Sequence, residues 1–144
     1  PSMDEYAYVV NVEAAVVRDG EYLLIERADD EEHAAGRLAF PGGKVEQEPG
    51  NTDTIEETAA REVAEETGVE VEDVDYVRSR SFEIDPEIPV INIVIRCVYA
   101  GGDPEPLEPE EVAAVHWLTP EEIRAHEDAP AYLLADVEAI EAER

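Results

Sequence analysis

Apolar residues recur at every second position from residue 8 onward, at Tyr8, Val10, Val12, Ala14 and Val16. That period predicts a strand with one buried face. Asp19-Gly20 is a two-residue hairpin signal, and it leads into a second strand over 22–27. A polar loop over 28–36 precedes a short strand at 38–40, and Pro41-Gly42-Gly43 reads as a sharp turn. The segment 47–53 holds Pro, Gly, Asn and Thr and reads as a loop. A helix is expected from about Thr54, with Glu57 completing a capping box, and Gly68 marks its end. Strands follow over 74–84 and 90–100, then a Pro- and Glu-rich loop over 101–111. The chain closes with a short strand at 116–118, a small helix opened by Thr119-Pro120, and a last helix over 132–142.

The helix between Thr54 and Gly68 carries an anomaly. On a wheel with Glu62 at zero, Glu66 falls near 40° and Glu65 near 300°, while Ile55, Ala59 and Val63 span about 20° to 100°. The stripe that must face the core therefore overlaps three carboxylates. A solvated acidic face would lie opposite. Crowded, half-buried carboxylates repel one another and lose hydration unless protons or cations compensate. Hard divalent cations with oxygen ligands are the natural compensation.

Composition narrows the reading further. The 144 residues include 27 Glu and 11 Asp against nine Arg and a single lysine, Lys44, for a net charge of −28. With 44% apolar residues in compact runs, the chain is expected to fold as one domain over 1–144 rather than stay disordered. No apolar run approaches the roughly 18 residues of a membrane span, and no secretory signal is expected, since no basic region followed by an apolar core is read near residue 1. Such a charge repels nucleic-acid polymers and anionic membranes alike. The single cysteine, Cys97, excludes an intramolecular disulfide and fits a reducing cytoplasm. Lysine depletion beside this acid excess resembles cytoplasmic proteins of salt-accumulating organisms, in which short-range screening tames self-repulsion.

Arg61-Glu62-Val63-Ala64-Glu65-Glu66-Thr67-Gly68-Val69, preceded by a double glycine, fits R-E-U-x-E-E-x-G-U with U aliphatic. This resembles the Nudix box. Arg27-Ala28-Asp29, His33, Leu38 and Phe40-Pro41-Gly42-Gly43-Lys44 are similar to the approach to that box in MutT-like pyrophosphohydrolases. Trp117-Leu118 with Pro120-Glu121-Glu122 is similar to the family's closing strand and helix. One departure is visible: four extra residues separate Gly43 from Arg61. The family's mid-box glutamate falls on Asp53 when counted back from Arg61, or on Glu48 when counted from Gly42.

The resemblance implies an α/β/α sandwich with a mixed sheet, in the α+β class. It implies Mg²⁺, or Mn²⁺ in its place, held by Glu62, Glu65 and Glu66 with a backbone carbonyl of Gly42 or Gly43, and with Glu46 either a ligand or an acceptor behind the ligands. Water would attack a nucleoside diphosphate linked to another group, either a nucleoside triphosphate or a nucleotide sugar such as ADP-ribose. Glu62 is the first candidate for general base and Glu110 or Glu111 the second, with Arg61 orienting a carboxylate. Arg27, His33, Lys44 and Arg96 are candidates for substrate contact. Asn92 and Arg96 share one face of their strand, which either lines the cleft or is solvated. A monomer or homodimer acting on a small nucleotide is expected. The competing class is a sensing domain that binds a nucleotide derivative without cleaving it.

Overall fold

The computed structural model describes residues 2–28 and 36–143. A mixed sheet runs through its centre, with helices on both faces, as an α+β fold. Strand β1 (Val9–Arg18) is the axis. It runs parallel to β6 (Ile88–Gly101) from Val9↔Val90 to Val17↔Val98. Strand β5 (Glu70–Asp85) pairs antiparallel with β6 and forms one edge. On its other side β1 has two partners. Near its C-terminal end it pairs with β2 (Glu21–Arg27), through the Asp19-Gly20 turn whose residues both take positive φ (50° and 81°). Near its N-terminal end it pairs instead with β4 (Gly42–Lys44), because β2 has diverged toward β3 (Leu38–Ala39) and β7 (Val112–Leu118). That fork opens the sheet where the box glycines lie.

The alternation in β1 is what builds two cores. Val12, Ala14 and Val16 face helix α1 (Thr54–Thr67) and pack with Ala59, Val63, Ile95 and Cys97. Ala15 faces the other way, into a core closed by Ile123 of α2 (Pro120–Ala125) and by Leu133, Val137 and Ile140 of α3 (Ala131–Ala142). Cys97 is buried, and burial pushes its thiol up to about 12, so it is inert packing.

Several local expectations are corrected. Thr54 does not cap α1; Asp53 precedes it with left-handed backbone (φ 55°) and makes no side-chain cap, and Glu57 accepts instead from Asn51 Nδ2. The capping box occurs at α2, between Thr119 and Glu122. Gly42 and Gly43 make a strand rather than a positive-φ turn. They are glycine for want of room: a Cβ on Gly42 would lie 2.0 Å from the Val12 carbonyl oxygen, and one on Gly43 2.5 Å from the Glu62 carboxylate. Strand β5 reaches further than 74–84, because as an exposed edge with register shifts it shows no clean alternation. Strand β7 likewise begins at Val112, well before His116.

Candidate active site

Helix α1 lies against β4, so the two glycines touch the carboxylates that follow Arg61. Glu66 is 5% exposed, and its Oε1 accepts the Gly42 N–H at 2.9 Å. Burial pushes this carboxyl up to about 8, against the pull of that N–H, and the charge of Glu62 adds to the rise. Glu62 is raised for the same leading reason, burial, with Glu65 next and Arg61 opposing. Glu65 stands at the cleft margin.

Arg61 ties these groups together. Its guanidinium reaches Glu46 at 3.2 Å, Glu62 at 3.4 Å and Glu65 at 3.9 Å, and donates to the Lys44 carbonyl at 3.4 Å. The carboxylate that meets Arg61 from the loop before the helix is therefore Glu46. The inserted residues shift the count, but β4 pairing holds Lys44, and hence Glu46, next to the helix whatever the loop length.

The loop before β7 completes the acidic cleft. Its backbone is fastened to the last turn of α1, the Leu107 N–H donating to the Glu66 carbonyl (3.1 Å) and the Glu105 N–H to that of Thr67 (3.0 Å). This brings Glu108 and Glu111 over Glu66, with one carboxylate oxygen from each of the three within 4.8 Å of the others. Glu111 lines the cleft as the sequence allowed; Glu110 is exposed and does not line it. Glu108 was not anticipated, since in a chain with 27 glutamates nothing local distinguishes it. The cleft holds about 430 Å³, lined by Gly42, Gly43, Arg61 and these glutamates. Its donors are all hard oxygens, most of them carboxylates short of compensating charge. That set fits a divalent cation such as Mg²⁺.

The remaining candidates separate. Arg27 and Lys44 line the acidic cleft and also an adjoining cavity of about 490 Å³, whose walls include Phe82, Ile84, Val90 and Tyr132. Asn11 lines both, and Asn92 lines the adjoining cavity. Arg96 does not join them; it borders a different cavity with Asp75, Ile140 and Glu143. His33 lies outside the described residues. Of the aromatics, Trp117 packs beside the α1 core under Arg18, whereas Phe82 is exposed at the cavity mouth.

The chain resembles known proteins in sequence and in fold. The family model for the NUDIX domain matches residues 7–137. A MutT-like protein of Streptomyces ambofaciens is 38% identical over 117 residues, covering 79% of this chain and 66% of that protein. A CTP pyrophosphohydrolase of Escherichia coli K12 is 32% identical over 124 residues, covering 85% of each. The crystal structure of a MutT protein from Methanosarcina mazei Go1 superposes with a TM-score of 0.75 at 32% identity, over 94% of both chains.

Proposed function

The chain belongs to the NUDIX domain family, and from that premise we propose that it hydrolyses a phosphoanhydride bond of a nucleoside triphosphate with the help of divalent cations. Its relatives make it a pyrophosphohydrolase; the substrate and the metal are our reading. One observation carries it: the acidic cleft opens into a cavity with basic and aromatic walls, and the two share Asn11, Arg27 and Lys44. A diphosphate lies naturally at such a junction, with its nucleoside in the cavity.

Glu62, Glu65, Glu66, Glu108 and Glu111 would hold the cations. When bound, these supply charge neutralisation at the phosphoryl oxygens and acidify water. The chain's own part is positioning and proton transfer. Arg61 holds Glu46, Glu62 and Glu65 in one array. Lys44 and Arg27, which line both the cleft and the cavity, meet the phosphates. The water oxygen bonds to phosphorus, the bridging P–O bond breaks, and the water proton passes to a carboxylate. Glu62 is our first assignment for that base, because it lines the cleft beside Gly43 with its carboxylate held by Arg61; Glu111 is the second.

The charge of −28 supports a further element of the reading, that the protein works in high salt. The test is a panel of nucleoside triphosphates and nucleotide sugars, assayed in molar KCl with Mg²⁺ or Mn²⁺, with products resolved by phosphorus NMR. The expected products from a triphosphate are a nucleotide and phosphate or pyrophosphate. Binding of every member without cleavage would establish a sensing domain instead.

A further inference from the structure

The cavity beside the acidic cleft is more than a recess. Arg27, Arg37, Lys44 and Arg80 line it, four of the ten basic residues in a chain of net charge −28. Strand register builds its floor. Lys44 pairs with Asn11, Asn11 with Asn92, and Asn92 with Arg80, a row of four nitrogen-bearing side chains across β4, β1, β6 and β5. In the next row on the same face stands Glu13 of β1. On the other side of the row, Val90 and Phe82 are paired and apolar.

The polar atoms of this floor are only partly used. Asn92 is fully buried; its Oδ1 accepts from Asn11 Nδ2 at 2.8 Å, while its Nδ2 makes no hydrogen bond. Glu13 Oε1 accepts from Arg80 Nη2 at 3.2 Å, while Oε2 makes none. Burial raises the Glu13 carboxyl, with Arg80 and, last, the neighbouring Asn92 amide pulling the other way, yet Oε2 and Nδ2 themselves make no hydrogen bond. A donor and an acceptor thus stand side by side, both buried and unsatisfied. Arg80 and Asn11 account for one polar atom of each side chain, but the burial of Oε2 and Nδ2 is a cost that no partner in the chain offsets.

We propose that Glu13 and Asn92 read the nucleobase, Glu13 Oε2 accepting from an exocyclic amino group and Asn92 Nδ2 donating to the ring nitrogen beside it. Cytosine and adenine present that edge. Uracil and hypoxanthine present its inverse, a carbonyl facing the carboxylate and an N–H facing the amide donor. The aromatic walls take the faces of the ring, and Arg80 is held against one of them, 5.0 Å from the centre of Tyr132. This assignment rests on the reading of the chain as a nucleotide hydrolase, but it concerns the base and not the bond that breaks.

The experiment compares binding of CMP with UMP, and of AMP with IMP, to the full chain in molar KCl by calorimetry. Turnover of CTP and UTP is measured alongside. The amino-bearing member of each pair is expected to bind at least about tenfold more tightly, because its rival leaves buried polar groups facing like groups. Glu13→Gln, whose oxygen can still accept from Arg80 while its NH2 then faces the base as a donor, should bring the CMP-to-UMP ratio to one or below, and Asn92→Ala should bring it toward one. Near-ultraviolet circular dichroism confirms that each variant folds; if neither does, the wild-type ratios decide alone. Equal binding within both pairs, or a ratio unchanged in both folded variants, overturns the assignment. Hydrolysis of triphosphates without base preference overturns it and leaves the proposed reaction standing. Preferential CMP binding without hydrolysis of any nucleotide upholds it and removes the reaction.

Discussion

Glu66 shows how one side chain joins stability to chemistry. Its carboxyl is raised from 4.5 to about 8 in the fold, first by burial. A raised carboxyl binds its proton more tightly folded than unfolded, so its stabilising share is complete below about 4.5 and is lost as pH rises through 8. Glu62, Glu13 and Asp136 are raised as well, by burial first, and act in the same direction. Metal-free protein should therefore melt at a lower temperature at about pH 8.5 than at about pH 6, and the gain in melting temperature on adding Mg²⁺ should grow with pH. Thermal melts with EDTA or Mg²⁺ across that range check both slopes. At this scale much was legible in advance. The carboxylates Glu62, Glu65 and Glu66 stand out because their wheel positions collide with Ile55, Ala59 and Val63. Glu108 and Asn11 did not, since the first is one glutamate among many in a loop and the second depends on pairing between distant strands.

At the scale of elements, the fork in β1 makes the site, and the two glycines of β4 divide its demands. A Cβ on Gly42 meets backbone, the Val12 carbonyl oxygen at 2.0 Å, whereas one on Gly43 meets the movable end of Glu62. Gly42→Ala is expected to cost on the order of 1–3 kcal/mol or more of stability. Gly43→Ala should leave the melting temperature nearly unchanged while weakening divalent-cation binding, as read by titration calorimetry. The loop over 47–52 has no such role. Removing four of its residues should leave turnover within about tenfold, roughly 1.4 kcal/mol in the barrier, because Arg61 is held by Glu46 upstream of the cut. A collapse of activity in the shortened chain would show that this loop serves the site directly. The glycine pair is legible in the sequence as a signal, but its pattern points to a turn: only tertiary packing shows that close approach, not positive φ, demands it.

For the whole molecule, charge is the dominant fact. Thirty-eight acids face ten bases, and Arg27, Arg37, Lys44, Arg61 and Arg80 are committed to the cleft and its neighbouring cavity. Exposed ion pairs, such as Arg124 with Glu138 at 2.7 Å, are each worth only about 0–1 kcal/mol. They cannot offset the repulsion among the remaining acids when total stability is on the order of 5–15 kcal/mol. The melting temperature should rise steeply from dilute buffer to molar KCl, and a flat profile would remove the salt-adapted reading while leaving the family assignment intact. Charge was plain from the sequence, and so was the face of β1 turned to α1; the second buried face, where Ala15 packs, was not, because the period pointed to one face only. What it could not give was the concentration of bases in one cavity, which arises from strand order and not from proximity along the chain.

The most direct measurement is the rate of CTP hydrolysis against Mg²⁺ concentration, in molar KCl, for the native chain and for Glu66→Gln. The substitution keeps an oxygen for the Gly42 N–H and removes the charge. The account predicts a saturating dependence on Mg²⁺ in the native chain, no turnover with EDTA, and a loss on the order of a hundredfold or more in the folded variant at saturating metal. Turnover that is indifferent to metal, or a Glu66→Gln enzyme running at the native rate, would contradict it.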